Sequence, residues 1–299
     1  MPATSLSSSE DTASSVAGLA TRTAALHERS VPELPEVEHA RRMLELWIEH
    51  GRIESVAVHD ARILDVGEVP ARLVDGLQGR RVQRVERRGK WLRIALDDGA
   101  FFSHLGMTGK WAKASPEDEP LRFEKVRLDV VVGRTKRSVR YLDSRLFGRF
   151  AAPTEDLPIW RALGPDPLID GIDVGVLHAK LERRKLAIKP VLLDQKVLAG
   201  IGNIYATEGL FTARIDPRRA ASSLTRREVG ALARGLRMAL LKSLARSTED
   251  AITYVQQPGA DNPFVIYGNE GTPCPRCKRA LGKMLLGGRG TVFCSHCQR

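Results

Sequence analysis

Four cysteines, all within the last 26 residues, fix how this chain must end: Cys274, Cys277, Cys294 and Cys297. Two C-x2-C pairs separated by sixteen residues have the ligand spacing of a four-thiolate zinc site on two knuckles. Each C-x2-C turn aims two sulfurs at one point, and Zn2+ accepts four of them in a tetrahedron. Four protein ligands leave no open position, so one Zn2+ held there is structural rather than catalytic. Two disulfides or four free thiols would use the same residues, but a chain without a secretory signal disfavours the disulfides.

The remainder of the chain is large enough for about two further modules, since 299 residues correspond to roughly two domains of 150. Hydrophobic residues make up 42% and charged residues 28%, which is globular rather than disordered composition. No apolar run approaches the ~18 residues of a membrane-crossing helix. The formal charge is +11, and it is clustered. Residues 80–93, 134–149 and 180–189 hold 18 basic against three acidic side chains. Such islands suit a polyanion, nucleic acid first and an anionic membrane second, with solvated surface charge as the plainer alternative.

Residues 1–30 stand apart, because Ser, Ala and Thr supply 7, 6 and 4 of the thirty positions. So little apolar surface cannot offset the entropy of ordering, and disorder is expected. The segment lacks the basic start and continuous apolar stretch of a secretory signal. From Pro32, a helix is expected in PELPEVEHARRMLELWIEHG, with Val37, Ala40, Met43, Leu44, Trp47 and Ile48 on one face. Pro35 and Glu36 suit its first turn, and Gly51 suits its stop. Residues 52–150 change to short alternating runs (RIESVAV, RRVQRVERR, WLRIAL, VRLDVVV, KRSVRYL), which predict an antiparallel β-sandwich or barrel. Helical periodicity then returns, most clearly in LTRREVGALARGLRMALLKSLA, before the zinc hairpin. The fold class is therefore α+β, with β-rich, α-helical and zinc modules in that order.

Several short motifs fall at strand-to-loop transitions: RRGK ending at Lys90, HLGM with His104 and Met107, and DSRLFG with Arg145 and Phe147. GIGNIYA, running from Gly200 to Ala206, places backbone N–H groups at a turn into a helix, a good cradle for phosphate. Each alone is as easily structural as functional. Taken in order, with PELPEVE ahead and the zinc hairpin behind, they resemble the formamidopyrimidine-DNA glycosylase/endonuclease VIII family of base-excision repair enzymes. The resemblance runs from Pro32 to Gln298.

That resemblance implies an N-terminal β-sandwich catalytic domain at 32–150, a helix-two-turns-helix DNA-binding domain at 151–268 and a zinc finger at 269–299. Residues 1–31 are then a disordered extension or a misassigned start. It implies a bifunctional DNA glycosylase and abasic-site lyase that removes oxidised purines. Its nucleophile would be the amine of an N-terminal proline, here Pro32. An α-amine with pKa of about 8 is neutral at pH 7 far more often than a lysine at about 10.4. Glu33 matches the family's proton donor and shuttle, Lys90 its β-elimination lysine and Arg289 its δ-elimination arginine. Met107, Arg145 and Phe147 match the wedge that fills the space left by a flipped nucleotide. His104, Arg184, Asn203 and Tyr267 fall where the kinked DNA backbone would be held, and Lys189 matches a lysine near the lesion. Damaged duplex DNA is the implied partner and a monomer in the bacterial cytoplasm, at the nucleoid, the implied state. A free Pro32 amine also implies initiation at position 31, where a GTG codon would read as valine, or proteolytic removal of what precedes Pro32.

The chain departs from the family pattern at three places. Ser144 and Leu146 replace the usual Pro and Arg, Phe123-Glu124-Lys125 replaces a His-x-His, and residues 257–267 are short for a loop that covers 8-oxoguanine. Lesion preference therefore stays open between oxidised purines and the oxidised pyrimidines of endonuclease VIII. A catalytically silent damage-binding protein is the alternative of a different class, and a zinc-ribbon RNA-binding or transcription protein explains only the last thirty residues.

Overall fold

The structure is a computed structural model that describes residues 32–65, 68–151, 154, 157–246 and 262–299. The expected disorder of residues 1–31, and the part of the shortened loop before Asn262, lie outside the described residues.

The chain enters through α1 (Leu34–Ile48), with Pro35 in its first turn as expected. The helix stops at Glu49, and His50, not Gly51, takes the left-handed conformation that ends it. Gly51 is instead a close-packing position, since a Cβ there would press on Val130, Val132 and the Ile48 carbonyl.

Eight strands follow as two four-stranded antiparallel sheets. One has the order β1 (Arg52–Val58), β6 (Glu124–Val132), β7 (Thr135–Leu142), β5 (Lys110–Ala114). The other runs β2 (Val82–Arg88), β3 (Trp91–Leu96), β4 (Ala100–His104), β8 (Arg149–Ala151). Inward residues of both sheets, among them Ile53, Leu128, Val139, Ile94 and Phe101, form one core with Val37, Ala40, Leu44 and Ile48 of α1. This is the sandwich that the alternating runs predict. It also holds a short helix, α2 (Pro70–Leu77), that the alternation does not announce.

The second module is helical. It comprises α3 (Pro158–Arg161), α4 (Val174–Glu182), α5 (Ile188–Leu193), α6 (Asn203–Ala213) and α7 (Arg226–Leu244). Thr225 caps α7, accepting from the Glu228 N–H while Glu228 accepts from the Thr225 N–H. The zinc module is the hairpin β9 (Gly282–Leu286) and β10 (Arg289–Phe293). Its apolar contacts with Phe211 of α6 and with Ile266 fuse it to the helices.

One packing detail positions the site. Leu34 is fully buried in the helical core, whereas Val37, three residues on, is buried in the sandwich core. The start of α1 is therefore threaded between the two modules. Burying Leu34 is worth about 2–3 kcal/mol, and it draws Glu33 onto the N-terminus of α6.

Candidate active site and nucleic-acid interface

Glu33 is 2% exposed, and its carboxylate accepts three backbone N–H groups at the start of α6: Gly202 at 3.0 Å, Ile204 at 2.9 Å and Tyr205 at 3.3 Å. The positive end of a helix is a natural seat for an anion. Burial is nevertheless the larger influence and raises the Glu33 carboxyl above its ordinary range, while Lys90 and the three N–H groups pull it down. Leu34 N–H donates to the Gly200 carbonyl at 3.2 Å and completes the docking.

A side chain at position 202 would displace the ends of Glu33 and Lys90. A Cβ there would lie 2.5 Å from Lys90 Nζ and closer still to the Glu33 carboxylate. PELPEVE, RRGK and GIGN, distant in sequence, thus converge on one point beside the buried Pro32. Glu36 lies behind them, unassigned in the sequence. It accepts from Glu33 N–H at 2.9 Å and from the Tyr205 hydroxyl at 3.1 Å, and the Tyr205 oxygen can in turn accept from Ser243 Oγ, 2.7 Å away. Burial and the adjacent Glu33 push the Glu36 carboxyl up to about 7.

A second group of loops lies at the ends of β4 and β7. The Asp143 carboxylate, 1% exposed, accepts from Thr108 Oγ1, from Arg145 N–H at 3.1 Å and from Gly148 N–H at 2.8 Å. It ties the Met107 turn to the Arg145–Phe147 turn. Phe147 is 47% exposed with the Arg145 guanidinium 4.8 Å from its ring, an apolar and cationic prow facing solvent. His104 accepts from Gly106 N–H through Nδ1 at 3.0 Å. Burial first, then Lys90 and Arg149, lower it to about 4, so it is a neutral ring at pH 7.

The four cysteine sulfurs all lie within 4.8 Å of one another, with Cys277 and Cys294 at 3.5 Å and Cys274 and Cys297 at 4.0 Å. Tetrahedral sulfurs at about 2.3 Å from Zn2+ would be about 3.8 Å apart, so the four fit one ion and are too far apart for disulfides. Burial and the neighbouring sulfurs push the Cys297 thiol up to about 12; a divalent cation is what would make such a group a thiolate. Cys274, Cys277, Cys294 and Cys297 would hold one structural Zn2+, which when bound would contribute folding energy to the hairpin.

Comparison with known proteins agrees with this geometry along nearly the whole chain. The family model of the formamidopyrimidine-DNA glycosylase N-terminal domain matches residues 31–150, that of its H2TH domain 163–254, and the zinc finger found in FPG and IleRS 271–299. The formamidopyrimidine-DNA glycosylase of Desulfitobacterium hafniense is 38% identical over 277 residues, covering 90% of this chain and all of that protein. The chain belongs to the formamidopyrimidine-DNA glycosylase family. Among solved structures, Lactococcus lactis Fpg with DNA containing an abasic site superposes with a TM-score of 0.79 at 31% identity, covering 90% of this chain and 100% of that one. A MutM complex with DNA containing carbocyclic 8-oxo-G gives 0.79 at 30% identity with the same coverage.

The family's motif residues do not all sit at one centre. Glu33 and Lys90 meet at Gly202, with Pro32 the residue before Glu33, and Met107, Arg145 and Phe147 share the Asp143-braced loops. Arg289 is exposed at the start of β10, beside a carbonyl that two other motif residues hold. Lys189 Nζ, fully buried, and Asn203 Nδ2 both donate to the Gly290 carbonyl at 3.1 Å, and Lys189 also donates to Thr291 Oγ1 at 2.7 Å. Arg184 pairs with Asp194 at 2.8 Å. Tyr267 lies on a segment whose backbone N–H groups, from Val265 to Tyr267, are collected by the buried Glu208 carboxylate.

The charge islands need correction. Arg87, Arg140 and Lys189 are interior, Arg87 paired with Glu38 and Asp166 and Arg140 with Glu124, so these three cations are not offered to a polyanion. Where the family has His-x-His, Glu124 turns inward to Arg140 and His59, and Lys125 pairs with Asp60 at 3.3 Å. Sequence reasoning missed Glu36, Asp143, Asp166 and Glu208, because a carboxylate that gathers backbone N–H groups leaves no local pattern. The second acid of PELPEVE, one turn after the first, was the available hint.

Proposed function

We propose that this protein is a DNA glycosylase and abasic-site lyase of base-excision repair, acting on oxidised purines, formamidopyrimidine and 8-oxoguanine among them, in duplex DNA. The observation that carries the reading is the convergence of Glu33, next in sequence to Pro32, and Lys90 on the start of α6, and the family relatives supply the substrate class. Pro32 is the nucleophile toward C1′ of a flipped nucleotide, and Glu33, held at a raised pKa by burial, manages the proton as the base leaves. Once the base has left and the C1′–O4′ bond opens, with a proton passed to O4′, the secondary amine holds C1′ as a cationic iminium. That ion draws in the electrons of the breaking C2′–H bond as the 3′ phosphate departs, assisted by Lys90, and δ-elimination assisted by Arg289 expels the 5′ phosphate.

As written, the Pro32 nitrogen is an amide with Val31 and carries no nucleophilic pair, so activity requires a chain whose first residue is Pro32. Met107, Arg145 and Phe147 fill the vacated stack; His104, Arg184, Asn203 and Tyr267 serve the DNA backbone, and Lys189 braces the edge of the lesion site through the hairpin. One Zn2+, one chain and a bacterial cytoplasmic setting complete the proposal.

The test offers the Pro32-first chain duplexes bearing a formamidopyrimidine, 8-oxoguanine or an oxidised pyrimidine, and measures released base under single-turnover conditions. Faster release of the purine lesions is expected. Preference for the pyrimidine would move the protein to the endonuclease VIII specificity, and no release with intact binding would make it a silent damage-binding homologue.

A further inference from the structure

Asp166 is fully buried in the segment that joins the sandwich to the helices, and its carboxylate accepts five hydrogen bonds. Two come from the Arg87 guanidinium, and two from the N–H groups of Leu168 at 2.9 Å and Ile169 at 3.2 Å. The fifth comes from Gly89 N–H at 2.7 Å. Arg87 in turn donates to the Gly89 carbonyl at 3.1 Å and to Glu38 at 2.9 Å. Both polar groups of Gly89 are therefore gripped by this ion pair, and Lys90 is the next residue.

Gly89 has φ +58°, a left-handed turn, and a Cβ there would lie 3.1 Å from both Ala199 Cβ and Gly200 N. The same segment also holds the loop that receives Glu33. Ala199 N–H donates to the Pro165 carbonyl at 2.9 Å and Gly164 N–H to Gln195 at 2.8 Å, while Gln195 Oε1 accepts from Gly200 N–H at 2.8 Å. A buried ion pair is weak as general adhesive, because desolvation offsets most of its attraction. Its distinctive contribution is direction, and here the direction is imposed on the peptide that aims Lys90.

We infer that Asp166 is a positioning residue, which with Arg87 fixes the Gly89 turn so that the Lys90 ammonium meets the Glu33–Gly202 corner. This rests on the reading of Lys90 as an elimination residue. The experiment measures single-turnover strand cleavage of a preformed abasic duplex by the Pro32-first protein, comparing Asp166→Asn in the wild-type and in the Lys90→Ala background. Asp166→Asn should slow cleavage on the order of tenfold to a hundredfold in the first, the scale of an ångström-sized misplacement. It should cost nothing further in the second, with zinc content and duplex affinity kept.

An equal loss in both backgrounds would overturn the inference and leave Asp166 as interdomain packing. A silent Lys90→Ala would instead defeat the reading of Lys90 and the inference with it. Should Asp166→Asn fail to fold, Asp166→Glu keeps the charge while displacing the acceptor from Gly89 N–H, and the same cycle is read with it.

Discussion

Glu33 and Glu36 lie one helical turn apart at the start of α1, Glu33 buried and Glu36 half-buried behind it. Glu36 ionises near pH 7 in the folded protein and near 4.5 in the unfolded chain. Between those values the folded state binds more protons, so stability from this group is full below pH 4.5, falls as pH rises and is lost above 7. Glu36→Gln, which can accept from Glu33 N–H and donate to a reoriented Tyr205 hydroxyl, removes that dependence. The variant should be more stable than the parent at pH 8 by up to about 3 kcal/mol, with no gain at pH 4. Denaturant melts at both pH values check it, and a pH-independent difference would refute the raised carboxyl. At this scale the cysteines were legible, because their partners are close in sequence and one metal geometry explains the spacing. The Glu33 contacts were not: Gly202, Ile204 and Tyr205 lie about 170 positions away, and only family resemblance connected them.

Among the elements, the zinc hairpin depends most on something besides its own side chains. Its core is small, shared with Phe211 and Ile266, and Lys189 and Asn203 hold it at Gly290 next to Arg289. Native, reduced protein should contain one zinc per chain by elemental analysis. Stripping the metal should speed hydrogen exchange across β9 and β10 while the sandwich strands stay protected, and should abolish duplex binding. Slow exchange in metal-free protein would show that the hairpin stands without its ion. The strands that alternation revealed are those with one wet face, such as β6. By contrast, β4 is buried from Ala100 to Ser103 and shows no period, and β8 has three residues, too few for one. The α2 helix was hidden because its eight residues fall inside a β-rich stretch.

For the molecule as a whole, α1 is the hinge of the design: it begins in the helical core and continues in the sandwich core, so the corner where Glu33 meets Lys90 exists only when both modules are folded. The module order was readable from periodicity, but this threading was not, since it depends on which of two cores Leu34 enters. Net charge of +11 with exposed arginines implies that duplex binding weakens steeply with salt. Arg184→Gln should reduce the slope of log K against log salt by about one and weaken intact and damaged duplexes alike. Affinity that is flat between low and physiological salt would reduce the islands to surface charge. The central claim is that Pro32 acts through a free amine, and borohydride trapping on an abasic duplex tests it most directly. Two purified forms are compared, one of 299 residues verified intact by mass and one beginning at Pro32. The account predicts a covalent DNA adduct from the short form alone, sharply reduced by Pro32→Gly. Equal trapping by the intact long form would contradict it and transfer the nucleophile to a lysine, with Lys90 the first to examine.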